Sequence, residues 1–246
     1  MKKIHINCDL GEGGDFDADL MPHISACNIA CGGHAGNLET MQQTIKLAVE
    51  HGVEIGAHPS YPDKENFGRK TMKISAEELQ RSIVAQILSL KQLAEAEGVK
   101  LTHVKPHGAL YNEAAKDEKT AQIIIDSLLE FDQNLALFCP LNSVISKLGK
   151  GKIPIVFEAF ADRNYNPDYS LVSRSKFNAL ISEKEAVFEH LFSMFSEGKI
   201  TCENGTKISC SATTFCLHSD TPNSVEIMSF LKRKFAEHNI KIKNAK

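Results

Sequence analysis

Leu101-Thr102-His103-Val104-Lys105-Pro106-His107-Gly108-Ala109-Leu110-Tyr111-Asn112 carries the pattern that decides the architecture. Residues 101–104 read as a short strand. A lysine and a histidine stand at its end, and a helical stretch follows to about Phe131. The same unit recurs on both sides. Strands are predicted at 4–8, 24–30, 53–57, 135–139, 153–160 and 213–217, with helices at 37–51, 75–97, 141–148, 182–196 and 224–238. Met41, Ile45, Ala48 and Val49 line one helical face, which Gly52 ends. Ser75 with Glu78, and Ser182 with Glu185, read as capping boxes. Only the polar segment 161–176 breaks the rhythm. About seven alternations imply parallel strands under helices, in one domain over residues 1–246. A β/α barrel or barrel-like variant is the first reading and a doubly wound open sheet the alternative. Both place ligand chemistry at the C-terminal ends of the strands.

Composition narrows the class. The 246 residues are 42% hydrophobic and 24% charged, as in an ordinary globular protein. Lys and Arg number 28 against 31 Asp and Glu, a net charge of −3, which argues against a nucleic-acid partner. The opening residues lack the apolar run and cleavage site of a secretory signal, and no run is long enough for a membrane helix. Seven scattered cysteines without a signal read as free thiols in the cytoplasm. Cys27 and Cys31 lack the spacing and the second pair of a zinc ribbon. Gly149-Lys150-Gly151-Lys152 lacks both the leading glycine and the Ser/Thr of a P-loop.

The residues that follow each strand are chemically rich. They are Asp9 and Glu12; Asn28 and His34; His58; Lys105 and His107; Glu158, Asp162 and Arg163; and His218 and Asp220. In a parallel β/α fold these converge on one rim. Unpaired burial of so many charges in a core would cost several kcal/mol each, so a polar pocket accounts for them. His34, His58, His107 and His218 all stand at strand ends. His5, His23, His51, His103, His190 and His238 fall within elements and read as structural or solvated.

Asp9 and Glu12 are an acid–base pair, or Asp9 caps a turn. Asp9, His34 and His58 together would suit a divalent metal. Lys105 neutralises an oxyanion or phosphate, or forms a structural ion pair; two residues apart, it and His107 share a strand face. The glycines of Gly32-Gly33-His34-Ala35-Gly36 bring backbone close to a ligand or make a tight turn. Arg69, Arg163 and Arg174 lie in polar loops and are suited to gripping a carboxylate.

Six motifs occur in order: Asn7-Cys8-Asp9-Leu10-Gly11-Glu12, Asn28 through Gly36, Gly56-Ala57-His58-Pro59, Phe67-Gly68-Arg69, Val104 through Asn112, and Phe160-Ala161-Asp162-Arg163. On these the chain resembles the LamB/YcsF family, the A subunits of prokaryotic ATP-dependent 5-oxoprolinases. The resemblance implies a seven-stranded β/α barrel akin to polysaccharide deacetylases. It implies opening of the 5-oxo-L-proline lactam to L-glutamate, with ATP and with separate B and C subunits. On that reading Lys105, with an arginine, stabilises negative charge, and Asp9, Glu12 or a rim histidine such as His58 or His107 is the base. Arg69 or Arg163 holds the substrate carboxylate, within a wall of Asn28, His34, Asp162, Arg174, His218 and Asp220. A metal-dependent amidase or deacetylase acting without ATP is the competing reading; a module that only binds a small carboxylate is a third. Two departures stand out. His218-Ser219-Asp220 replaces the usual His-Gly-Asp, and Asp168-Tyr169-Ser170-Leu171 replaces Asp-Gly-x-Leu. A serine is unfavourable at the first if a positive φ is needed there.

Overall fold

Seven parallel strands close into a barrel in the computed structural model, which describes residues 1–131 and 134–243. The chain opens with β1 (Lys2–Ile4), β2 (Ile6–Leu10), α1 (Asp17–Leu20) and β3 (Ala26–Ala30). Next come α2 (Leu38–His51), β4 (Glu54–His58), α3 (Ala76–Ala96) and β5 (His103–Val104). Then follow α4 (Gly108–Ala114), α5 (Glu118–Leu129), β6 (Ala136–Pro140), α6 (Val144–Gly149) and β7 (Ile155–Phe160). The last third holds α7 (Lys184–Phe192), β8 (Lys199–Thr201), β9 (Lys207–Ser209), β10 (Thr214–Cys216), α8 (Ser224–Glu237) and β11 (Ile240–Ile242). The barrel order is β10-β2-β3-β4-β5-β6-β7, so the closed form holds and the open sheet does not. No helix of the described residues is long and apolar enough to cross a membrane.

Local chemistry sets the ends of the elements. Asn37 caps α2 and exchanges bonds with Thr40, while Gly52 closes that helix at φ +63°. Ser75 and Glu78 form the expected capping box on α3. The second expected box does not form. Glu183 stands at the N-cap of α7, with no side-chain cap. Ile181 N–H donates to the Asp162 carbonyl, which ties the chain to the barrel just before this helix. The helical stretch expected up to Phe131 is two helices, because Asp117 caps α5 afresh. Two strand pairs went unpredicted: the parallel β1–β11 and the hairpin β8–β9, all three residues long.

The period of two along each strand separates two environments. Cys8, Leu10, Cys27, Ile29, Ile55, Ala57, Val104, Leu137 and Cys139 join the hydrophobic core between barrel and helices. Their strand neighbours Asn7, Asp9, Asn28, His58, His103, Lys105 and Glu158 are polar yet almost wholly buried, and they bond one another across the interior. Gly56 makes room for one of them. A Cβ there would lie 2.1 Å from the His103 ring.

Candidate functional site

The polar interior is layered, and each layer sits nearer the C-terminal rim than the last. In the lowest, His103 contacts Asn28 Oδ1 at 2.8 Å, and Asn28 Nδ2 donates to Asn7 Oδ1 (2.8 Å) and Asp9 Oδ1 (2.7 Å). Above it, Lys105 is 2% exposed and spends three hydrogens on Asp9 Oδ1 (2.8 Å), Asn7 Oδ1 (3.3 Å) and Cys216 Sγ (3.1 Å). Glu158 Oε1 lies 3.0 Å from the same ammonium but receives no hydrogen bond, while Tyr111 O–H donates to Oε2 at 2.8 Å. Burial works against the Lys105 charge, but Asp9, Cys216 and Glu158 outweigh it and hold the lysine well above its ordinary value. It is a fixed cation. Burial likewise pushes Asp9 up, yet His58 and Lys105 bring it well below the carboxylate range.

The top layer joins Glu12, His34, His58 and His107, whose ligand atoms all lie within 4.8 Å of one another. His34 Nε2–H donates to Glu12 Oε1 at 2.8 Å, and its ring stacks on His107 at 3.6 Å. Burial pushes His34 down to about 4. Phe67 and Gly68 both adopt left-handed backbone, at φ +54° and +60°, and so deliver the Phe67 carbonyl to His107.

A cavity of about 580 Å³ opens above these layers. Asp9, Glu12, His58, Lys105 and His107 line it, as do Arg69, Arg163, Arg174, His218 and Asp220. Asn28 lies below it, His34 behind His107, and Asp162 beneath His218. Asp162 is fully buried. It accepts from His218 Nδ1–H (2.9 Å), His218 N–H (2.9 Å) and Thr221 O–H (2.6 Å). Burial pushes its carboxyl up, but His218 and these bonds bring it down to about 2.

At the mouth, Arg69 Nη2 and Arg174 Nη1 converge on Asp220 Oδ2 at 2.5 and 3.4 Å. Arg163 is spent differently. Its Nε and Nη2 donate to the Ala179 and Val172 carbonyls, which pins the 161–183 excursion.

Several expectations change here. Of the expected metal set, His34 and His58 group with Glu12 and His107, whereas Asp9 groups with Cys216 and His218 and places Oδ2 3.3 Å from His58 Nε2. Asp9 is no turn cap; its carboxylate faces Asn28 and Lys105. The glycine loop is a tight turn. Gly32 N–H bonds the Ala35 carbonyl, and a Cβ on Gly33 would meet Gln86 and Ser60 at 2.4 Å. Ser219 fits without strain, for it is absent from the positive-φ residues and its hydroxyl donates to the Asp9 carbonyl at 2.8 Å. The second departure is strained: Tyr169 has φ +70°, where a glycine is free. Sequence reasoning missed Asn7, His103, Tyr111 and Cys216 and left Glu158 outside the site set. Alternation from Asp9 and Lys105 signals Asn7 and His103, whereas Tyr111 and Cys216 join only through the barrel's closure.

The fold and site define a class: parallel β/α barrels with a polar pocket of imidazoles, carboxylates and one buried lysine on the C-terminal rim. The LamB/YcsF family model matches residues 4–246, and the chain belongs to that family. It is 42% identical over 246 residues to the A subunit of 5-oxoprolinase from Pyrococcus abyssi, covering 98% of this chain and 96% of that one. It is 42% identical over 244 residues to the corresponding A subunit from Haemophilus influenzae, covering 98% and 99%. A solved structure, the lactam utilization protein from Thermus thermophilus, superposes with a TM-score of 0.92 at 33% identity, covering 98% and 99%.

Proposed function

We propose that this chain opens the 5-oxo-L-proline lactam to L-glutamate, as a subunit of an ATP-dependent 5-oxoprolinase that includes B and C subunits. The family and the names of the relatives support the substrate. The observation that carries the chemistry is the Lys105 ammonium, buried at the pocket floor and held charged by its neighbours. A lactam is a stable amide, so its carbonyl must be activated. ATP supplies a phosphoryl group to the lactam oxygen, and Lys105 offsets the negative charge that builds there. Water adds to the carbonyl carbon and gives its proton to His218 Nε2, whose Nδ1–H is held by Asp162. The ring C–N bond then breaks, the nitrogen takes that proton, and the hydroxyl on the carbon passes its own proton to the freed His218 as the carbonyl re-forms. The acyl phosphate left behind hydrolyses to the glutamate side chain and phosphate. Glu158 Oε1 accepts from the lactam N–H, and Arg69 and Arg174 receive the substrate carboxylate in place of Asp220.

The test combines this chain with its B and C partners, ATP and 5-oxoproline. Glutamate should form well above the level made by B and C alone; no increase would sink the reading. The cluster of Glu12, His34, His58 and His107 favours a second reading, a metal-dependent amidase that needs no ATP. Turnover by this chain alone, without ATP and abolished by a chelator, would establish that one instead.

A further inference from the structure

With the imidazoles of His58 and His107 both neutral, three atoms that only accept hydrogen bonds meet at the top of the barrel. His58 donates Nδ1–H to the Lys105 carbonyl at 2.6 Å, so its lone pair is on Nε2. His107 donates Nε2–H to the Phe67 carbonyl at 3.0 Å, so its lone pair is on Nδ1. These two lone-pair nitrogens lie 2.9 Å apart. Glu12 Oε1 stands 3.3 Å from His107 Nδ1 and 3.8 Å from His58 Nε2. Asp9 Oδ2 comes within 3.3 Å of His58 Nε2 as well, although its other oxygen is already held by Lys105 and Asn28. Crowding acceptors in a buried site is unfavourable unless a positive centre sits among them.

We propose that Glu12 Oε1, His58 Nε2 and His107 Nδ1 form a binding site for one divalent transition-metal ion of the zinc class, and that His34 orients Glu12. The distances fit. Tetrahedral bonds of about 2.0–2.1 Å place donors about 3.3 Å apart. The observed edges of 2.9, 3.3 and 3.8 Å lie on either side of that value. The second nitrogens fit too. Both rings are fixed from behind by a backbone carbonyl, the arrangement that holds metal-binding imidazoles in place. One of those carbonyls is supplied by the left-handed Phe67–Gly68 backbone. Two imidazoles and one carboxylate select zinc-like ions over magnesium or calcium.

His34 stays outside the triad, because its Nε2–H is given to Glu12 and its Nδ1 is buried without a partner. The other donor group, Asp9 with Cys216 and His218, has the Lys105 ammonium 3.1 Å from the sulfur and 2.8 Å from the carboxylate. A cation already stands there. The metal assignment does not depend on which amide bond this pocket opens.

The test uses the full chain, stripped with a chelator and titrated with Co²⁺. About one cobalt per chain by elemental analysis is expected, with visible d–d bands and no sulfur-to-cobalt charge-transfer band in the near ultraviolet. Glu12→Gln and His107→Asn should weaken binding at least 10-fold while near-ultraviolet circular dichroism stays native, and Cys216→Ser should bind as the parent does. Less than about 0.1 equivalent on the folded parent, or a charge-transfer band, would overturn the assignment without any variant. So would folded Glu12→Gln and His107→Asn proteins with parental affinity, or loss confined to Cys216→Ser.

Discussion

Lys105 and Arg69 each face an aspartate, at 2.8 Å and 2.5 Å, in surroundings that give the two contacts opposite meanings. The Lys105 and Asp9 side chains are 2% and 5% exposed; those of Arg69 and Asp220 are 40% and 37% exposed. On the floor, water cannot replace a missing partner, so each group is needed by the others. At the mouth, water competes throughout, and the arginines can exchange Asp220 for another carboxylate at little cost. Rigid charge lies where bond-breaking is proposed, and exchangeable charge lies where a ligand would enter.

The sharpest way to break this contrast is Lys105→Met. It leaves Asp9 and Glu158 buried without their cation and should cost about 3–5 kcal/mol in denaturant unfolding, with turnover by the reconstituted assembly lost. A loss below 1 kcal/mol would mean that the floor behaves like the mouth. His218→Asn comes next. An amide can still donate to Asp162, so stability should hold while kcat falls about 10²–10⁴-fold. An equal loss of stability would make His218 a structural member of the floor.

How much of this was legible follows from what each feature depends on. The seven barrel strands announce themselves because each is a short apolar run ended by polar residues, as at Val104-Lys105. Three-residue strands such as β1 and β9 are too short to carry a period. Strand-end position identified Lys105, His107 and His218 as pocket-lining. It could not tell Arg69, which faces the mouth, from Arg163, whose partners are carbonyls brought close by the folded 161–183 excursion. Nor could spacing reveal that Glu12 reaches His34 and His107 while Asp9 stands beside His58 and Lys105, since that is set by the turn at Gly11, φ +72°.

Two smaller effects sharpen the comparison. Burial lowers His103 to about 3, below the ordinary 6.5, so the unfolded chain binds this proton first. The stabilising contribution is whole above pH 6.5 and is lost as pH falls through 6.5 toward 3. Between pH 7 and 5 the His103 share of the loss is about 2 kcal/mol, measurable as a fall in urea midpoint that is smaller in His103→Asn, while His34 and His190, both lowered to about 4, keep theirs. An unchanged parental midpoint would contradict it. Arg69→Ala should be the mildest change. Stability should move by less than about 1 kcal/mol, with KM rising and kcat nearly kept. A fall in kcat alone would place Arg69 in bond-breaking instead of binding.

The seven cysteines give the molecule a built-in stopwatch. All but Cys210 are buried, and burial pushes Cys31 and Cys139 up to about 12, so the six buried thiols are unreactive in the native protein. Cys8, Cys27, Cys139 and Cys216 sit on four different staves of the barrel, β2, β3, β6 and β10. Alkylation rates read cysteine by cysteine would time how often each stave swings open.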